Sequence, residues 1–316
     1  MSSVSSVDEE TLSSAGLIAP TNFLRAVGRL KPGYTREKAQ KTQITKAQTS
    51  NILCFCASLW LISFCMSDFW DKQIERADLL AGESSGAKEL LRFYAQLLRA
   101  QKEIYEEFRG RTHWLPSGDL ENDVGVVQSS MSGLLQRVAR NGPEPLAEEA
   151  QALLTTESNV MAQDLLSYWR SPSDTQFFAK SVIQPYLRWL AETGIAPAGR
   201  ELAGGERTCP FCGGKPQVSF LQSRESAESG NRDLLCASCL CSWEFRRVVC
   251  ANCGEEQPAK LGYFHSPEFD HIRIEACDSC KHYIKGIDLT RFGLAVPLVD
   301  EIYAAPTVVC HHAGPN

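Results

Sequence analysis

The sequence lacks several motifs by which common enzyme chemistries are recognised. It contains no P-loop, no glycine-rich dinucleotide fingerprint and no HExxH helix. Histidine is scarce, and no histidine stands in a recognisable arrangement with a nucleophile. The six histidines are His113, His265, His271, His282, His311 and His312. These absences count against an enzyme, and we expect no catalytic residues and no bound organic cofactor.

The chain also lacks an excess of positive charge and a long apolar run. Its 32 Lys and Arg residues against 38 Asp and Glu residues give a formal net charge of −6, which counts against a protein that coats nucleic acid or an anionic membrane. One apolar run, residues 52–66, is shorter than the ~20 residues that a spanning helix needs. We expect a buried helix there. A membrane anchor is the alternative, because lysines precede the run and Asp68 and Asp71 follow it.

Cysteine, by contrast, is abundant and regularly spaced. Eight of the 13 cysteines form four CxxC pairs, and adding 41 to each position in the first two pairs gives the last two. Each half therefore reads CxxC, 23 intervening residues, CxxC, and a fixed period of this kind indicates a repeated structural unit. Thiols that stay free for metal indicate a reducing compartment.

Two facing CxxC turns supply the four thiolates that a tetrahedral metal requires. The spacing predicts two metal ions, zinc or a single rubredoxin-type iron at each site, with one metal in each repeat. An alternative pairs the outer turns with the inner ones, and redox dithiols or disulfides are a further alternative. The residue after such a turn often needs a left-handed backbone, which Gly213 and Gly254 supply. The first predicted ligand set is Cys209, Cys212, Cys236 and Cys239, and the second is Cys250, Cys253, Cys277 and Cys280.

Hydrophobic spacing predicts helices before the cysteines and strands between them. Period-two alternation predicts β-ribbons whose folding depends on metal, and a kink is predicted at Pro185. The predicted helices are near 69–80, 87–109, 120–139, 144–170, 177–193 and 296–303. The predicted strands are near 217–221, 234–235, 243–249, 260–264, 271–275 and 283–288.

These patterns predict an α+β fold, in which an all-α N-terminal domain is followed by tandem rubredoxin-like or zinc-ribbon β modules. The tail residues Cys310, His311 and His312 have metal-binding chemistry, but without a facing turn we expect no site there. The predicted organisation is a disordered or atypical extension at 1–67, a helical domain at 68–194, a linker at 195–207, a tandem CxxC metal-binding domain at 208–303 and a tail at 304–316.

Several further segments, together with the four CxxC pairs, carry a resemblance to a known family. They are LRFY at 91–94, QK at 101–102, Tyr105, CPFCG at 209–213, CASC at 236–239, WEF at 243–245, CANCG at 250–254, EACDSC at 275–280, YIK at 283–285 and ID at 287–288. From about residue 68 to 303, the chain resembles the FdhE family of formate dehydrogenase accessory proteins. The resemblance is most specific in the cysteine half.

The resemblance implies a cytoplasmic accessory protein rather than an enzyme. Members of the family are needed to obtain active formate dehydrogenase and contact that enzyme's catalytic subunit. Their C-terminal half is rubredoxin-like and holds iron or zinc. For this chain it implies the catalytic subunit as partner, no nucleic acid, no stable membrane insertion, and the eight paired cysteines as metal ligands.

The chain departs from the family pattern at three places. Leu240 and Cys241 follow the second CxxC pair, where relatives usually have glycine, and both the segment before Asp68 and the tail look foreign. Cys241 takes the place of His282 in the second repeat. We expect a structural thiol there, with redox chemistry or ligand handover as the alternative.

Two other functions stay open at this point. One is a tandem zinc ribbon that binds nucleic acid, although the repeat region mixes acidic and basic residues where such a protein would present basic, aromatic faces. The other is a rubredoxin-like electron-transfer or thiol-redox protein with bound iron.

Overall fold

The computed structural model describes residues 35–38, 68–83, 86–200, 205–224 and 227–304. The run predicted as a buried helix at 52–66 and the Cys-His-His tail lie outside these ranges. The described residues form a helical region followed by a mixed β-sheet, and the predicted α+β fold is confirmed.

Helices occupy the first part of the described chain. Their amphipathic spacing turns one face of each toward a common core. The helices are Asp68–Gly82 (α1), Lys88–Gly110 (α2), Leu120–Ser129 (α3), Met131–Asn141 (α4), Glu144–Leu154 (α5), Ser158–Arg170 (α6) and Phe177–Thr193 (α7).

Two of the predicted helices are each divided in two. The prediction at 120–139 becomes α3 and α4, and the one at 144–170 becomes α5 and α6. Hydroxyl side chains stand at both breaks: Ser129 Oγ donates to a backbone carbonyl three residues earlier at 2.7 Å, and Thr155 Oγ1 does the same at 2.8 Å. Such bonds compete with the helical hydrogen-bond pattern, and apolar periodicity carries no signal of them.

Helix α7 is buried along most of its length and contains a proline. The residues from Phe177 to Leu187 are all buried, and the helix continues through Pro185. Because proline has no N–H, the Ser181 carbonyl loses its helical donor. Gln101 Nε2 on α2 donates to that carbonyl at 2.9 Å. A buried carbonyl without a partner costs about 1–3 kcal/mol, so Gln101 stabilises a proline inside a buried helix.

Strands from both cysteine repeats join in one sheet. The strands are Thr35–Lys38 (β1), Pro216–Arg224 (β2), Ala227–Cys236 (β3), Ser242–Phe245 (β4), Leu261–Ser266 (β5), Phe269–Cys277 (β6) and Tyr283–Asp288 (β7). Their order in the sheet is β1-β5-β6-β7-β2-β3-β4, with β2 and β7 parallel and the other neighbours antiparallel. The two predicted ribbons are therefore joined along β2 and β7.

Two strands differ from the sequence-based prediction. Strand β1 lies inside the segment predicted as an extension and pairs with β5. Strand β4 ends at Phe245, although the prediction continued to residue 249. Beyond that point the carbonyls of Arg246 and Val249 both accept from Arg232 Nη1 at 3.0 Å. These bonds replace the ladder pairing that a longer strand would need.

A short closing helix, Pro297–Tyr303 (α8), packs between the helical region and the sheet. Its Asp300 accepts from Arg76 Nε at 3.0 Å and from Arg76 Nη2 at 2.6 Å, and lies 3.2 Å from His271 Nε2. Burial alone would raise the pKa of Asp300, but the hydrogen bonds from His271 and Arg76 outweigh it and lower that pKa. One buried carboxylate thus joins α1, β6 and α8.

The main apolar core is continuous across the helices and the sheet. It extends from Trp70 on α1 to Ala304 after α8, and includes residues of β2, β3, β6 and β7. The helical and metal-binding domains predicted at 68–194 and 208–303 are therefore in direct contact, and their boundaries remain predictions.

Candidate metal centres

The four CxxC turns share one backbone pattern. In each, the N–H of the first cysteine donates to the carbonyl five residues later, which folds the turn back on itself. The four bonds run from Cys209 to Gly214 (2.8 Å), Cys236 to Cys241 (2.9 Å), Cys250 to Glu255 (2.9 Å) and Cys277 to His282 (3.0 Å). The tight turn brings both sulfurs of a pair to the same side.

The residue that follows each turn has a left-handed backbone. Gly213 (φ 69°) and Gly254 (φ 82°) were predicted to do so. Leu240 and Lys281, both at φ 59°, adopt it as well, although side chains disfavour this region. The 41-residue repeat already aligns Leu240 with Lys281, so the repeat itself carried the signal for these two positions.

The first cluster consists of the four cysteines of the first repeat. Cys209 Sγ lies 3.5 Å from Cys239 Sγ, and Cys212 Sγ lies 3.4 Å from Cys236 Sγ. All four side chains are at most 3% exposed. Their ligand atoms lie within 4.8 Å of one another.

The second cluster repeats this arrangement with longer spacings. Cys250 Sγ lies 3.7 Å from Cys280 Sγ, and Cys253 Sγ lies 3.7 Å from Cys277 Sγ. These four sulfurs also lie within 4.8 Å of one another. Here, however, Cys253 is exposed and Cys280 is half-buried.

The sulfur spacings fit a tetrahedral metal better than a disulfide. A disulfide needs about 2.05 Å between sulfurs, whereas four thiolates at about 2.3 Å from a central zinc stand about 3.8 Å apart. The nine cysteines in the described ranges are free thiols. Each repeat therefore assembles its own four-sulfur cluster that could hold one metal ion, and the geometry favours pairing within repeats over pairing outer with inner turns.

The helical region contacts the first cluster directly. On α7, Gln184 Nε2 donates to the Ala237 carbonyl at 2.8 Å, and Arg188 Nη1 donates to the Leu240 carbonyl at 3.3 Å. Both carbonyls belong to the turn that carries Cys236 and Cys239. Sequence analysis missed these two residues, because partners more than 50 positions apart leave no local pattern.

Cys241 lies beside the first cluster but outside its four-sulfur set. It is partly exposed, and its Sγ lies 3.8 Å from the Cys239 carbonyl oxygen. The hydrogen bond with Cys239, together with the charge of Arg188, lowers the pKa of the Cys241 thiol.

Polar side chains around the second cluster hold its CxxC turns. Glu255 accepts from Ser279 Oγ at 2.5 Å and from Lys260 Nζ at 3.3 Å. These bonds, with the Ser279 contact the strongest, lower the pKa of Glu255 to about 2. Arg207 donates to the Asn252 carbonyl within the CANC turn. The surroundings mix both charge signs, as in the ion pairs Arg246–Glu256 and Lys260–Glu255.

A buried ion-pair group links the two repeats. Arg232 on β3 is 2% exposed and pairs with Glu275 on β6, which also accepts from Arg273 Nη2 at 2.7 Å. Burial alone would raise the pKa of Glu275, but Arg232 and Arg273 outweigh it and hold that pKa at about 2. Through its bond to the Val249 carbonyl, Arg232 also fixes the entry to the Cys250 turn.

Two negative observations bear on other functions. Residues 82–86 have the letters GxSxG, but they connect α1 to α2, whereas a nucleophile elbow connects a strand to a helix. Within the described ranges, none of the helices combines the length and the apolar character needed to cross a bilayer.

Comparison with known proteins gives a consistent result. The family model described as "FdhE, central domain" matches residues 208–247, the part of the chain that holds the first cluster. An FdhE homolog of Aquifex aeolicus is 29% identical over 246 residues, which cover 72% of this chain and 86% of that protein. The chain is thus similar to FdhE proteins over most of its length. An FdhE homolog of Stutzerimonas stutzeri is 30% identical over 181 residues, 56% of this chain and 54% of that protein.

The solved FdhE fold agrees with the architecture described above. The crystal structure of the FdhE protein from Pseudomonas aeruginosa superposes with a TM-score of 0.53 and 21% sequence identity, and covers 78% of this chain and 98% of that one. At this identity the likeness concerns the fold. The helical region followed by a mixed sheet is thus the fold that this chain shares with that protein.

Proposed function

We propose that this chain is an accessory protein for the maturation of formate dehydrogenase and that it binds the catalytic subunit of that enzyme. The similarity of this chain to FdhE proteins is the observation that carries the proposal. The formate dehydrogenase partner and the cytoplasmic location come from the family resemblance.

The proposal includes two metal ions, zinc or iron, one in each cluster. The ligands of the first are Cys209, Cys212, Cys236 and Cys239, and those of the second are Cys250, Cys253, Cys277 and Cys280. The residues fit such ions, since each set offers four thiolates at spacings close to those of a tetrahedral metal site. Either metal would stabilise the turns and the strands that follow them.

A role without catalysis is consistent with this chemistry. A metal with four thiolate ligands has no open position for a substrate, so its contribution is to hold the protein's shape. The surface that it holds is then available for recognition of a partner protein. The mixed charges around the second cluster support a protein partner over nucleic acid, whose phosphates favour a basic surface.

A gene deletion tests the proposal most directly. We expect the deletion strain to contain formate dehydrogenase polypeptide without formate oxidation, and the wild-type gene to restore activity. Replacing Cys250 and Cys253 with Ser should reproduce the defect, whereas Cys241→Ser, outside both four-sulfur sets, should restore activity. The catalytic subunit should co-purify with the tagged protein from anaerobic cells. Normal formate oxidation in the deletion strain, with no second copy of the gene expressed, would contradict the proposal.

A further inference from the structure

The two cysteine clusters differ in their place in the packing. All four cysteines of the first cluster belong to the main apolar core, which extends through the helices and α8. Cys250 and Cys277 of the second cluster form a separate small core with Leu261. The two clusters have the same kind of ligand and the same turn pattern, but they differ in burial.

A chain of buried amides holds the first cluster from the helical side. Gln101 Nε2 on α2 donates to Gln184 Oε1 at 2.8 Å, and Gln184 Nε2 donates onward to the Ala237 carbonyl at 2.8 Å. Gln101 and Gln184 are 2% and 4% exposed. Opening the Cys236 turn therefore requires that buried hydrogen bonds break and that core packing is disturbed.

The second cluster is held by contacts near the surface. Its Cys253 is exposed, and the Arg207 and Lys260 contacts around its turns involve exposed side chains. Local openings of this kind have a much lower free energy than openings of a core segment. A small chelator or a thiol reagent can reach Cys253 without any change in the fold.

We propose that the second cluster is the exchangeable metal site of this protein and that the first cluster is a locked, structural site. The inference rests on the proposed metal-binding function and adds a division of roles between the two clusters. The second site gains and loses its ion while the helical region and the first site stay folded. The first site releases its ion only when α7 and the Cys236 turn separate.

Metal-release kinetics of the full chain test this division. The protein is loaded with zinc, two ions per chain are verified by elemental analysis, and excess 4-(2-pyridylazo)resorcinol is added. We expect two phases of equal amplitude, the first at least about tenfold faster than the second because it needs only a local opening. Helical circular dichroism should stay constant through the fast phase. Trapping with iodoacetamide at the end of that phase should label Cys253 and Cys280 before Cys209 and Cys212.

Variants assign the phases without relying on a single cysteine replacement. Cys253→Ser should remove the fast phase and leave the slow one. Gln184→Met, which breaks the amide chain, should speed the slow phase severalfold and leave the fast phase unchanged. Gln163→Met is the matched control, because Gln163 is an exposed glutamine on α6 that belongs to neither four-sulfur set nor to the amide chain, and it should change neither phase.

The possible outcomes separate the inference from the function on which it rests. If two zinc ions bind but leave in one phase, or if Cys253→Ser removes the slow phase, the division of roles is wrong and the metal-binding proposal stands. If the chain binds no zinc and no iron under anaerobic loading, both are wrong.

Discussion

At the residue scale, the four left-handed positions show how strongly the CxxC turn determines local backbone. Two of them hold glycine, and the other two hold Leu240 and Lys281. A side chain in this region costs roughly 1–2 kcal/mol, which glycine avoids. Leu240 is buried, so its apolar contacts offset part of that cost. Lys281 is exposed and has no such compensation.

Replacing Lys281 with glycine should stabilise the zinc-loaded protein. We expect a gain of about 0.5–1 kcal/mol in the free energy of unfolding, since removal of the left-handed strain exceeds the added entropy of the unfolded chain. Urea unfolding of both proteins measures this gain in the free energy of unfolding. Lys281→Ala removes the same charge but keeps the strain, and should show no gain. Equal stability of the glycine and alanine variants would contradict the explanation.

At the element scale, the joining of the two repeats depends on strands that are far apart in sequence. Strands β2 and β7 pair in parallel, and Arg232 on β3 connects through Glu275 to β6. The predicted ribbons gave no indication of either contact. Period-two alternation identifies which residues form a strand, but it does not identify the neighbouring strand.

The Arg232–Glu275 pair predicts a specific pH dependence. The pKa of Glu275 is about 2 in the folded protein, below its ordinary value of 4.5. The carboxylate therefore stabilises the fold above about pH 4.5, and this contribution is lost as the pH falls toward 2. At neutral pH it is on the order of 3 kcal/mol at most.

Glu275→Gln should accordingly lower the free energy of unfolding at pH 7, and the difference from wild type should shrink as the pH falls below 4.5. Denaturant unfolding between pH 3 and pH 7 measures both. Glu268→Gln, at the exposed turn between β5 and β6, is the control and should stay close to wild type. A difference that stays constant over this pH range would refute the assigned role of Glu275.

At the scale of the whole molecule, a continuous core covers two regions that differ in what stabilises them. The helical region buries its own apolar faces. The sheet region has less apolar packing of its own, and its four CxxC turns bring eight sulfurs into two clusters. A small metal-clamped unit draws much of its folding free energy from its ions. Helix α8 and Asp300 connect the two regions.

Complete metal removal should therefore affect the two regions unequally. We expect a strong chelator to abolish protease resistance beyond about residue 205 while most of the helical far-ultraviolet signal remains. Readdition of zinc should restore the resistance, which controls for irreversible damage. Loss of the helical signal together with the metal would show that the two regions fold as one unit.

Sequence by itself determined the features that depend on near neighbours. The CxxC spacing and its 41-residue repeat predicted both cysteine clusters, because each turn closes through a hydrogen bond that spans five residues. Apolar periodicity located most helices and strands for the same reason, and the closing strand matches Tyr283–Asp288. Apolar periodicity did not predict the helix breaks beside Ser129 and Thr155, where side-chain hydroxyls donate hydrogen bonds to the backbone.

Only the tertiary structure decided how the two clusters differ. Their cysteine spacings are identical, but α7 places Gln184 against the Ala237 carbonyl across 53 positions and holds the first cluster in the main core. Among the described residues, Cys250 and Cys277 of the second cluster lie in a small core separate from the main one, and Cys253 stays exposed. The burial of a turn depends on which distant element packs against it. Tertiary packing of the whole chain determines that contact, and no local sequence pattern does.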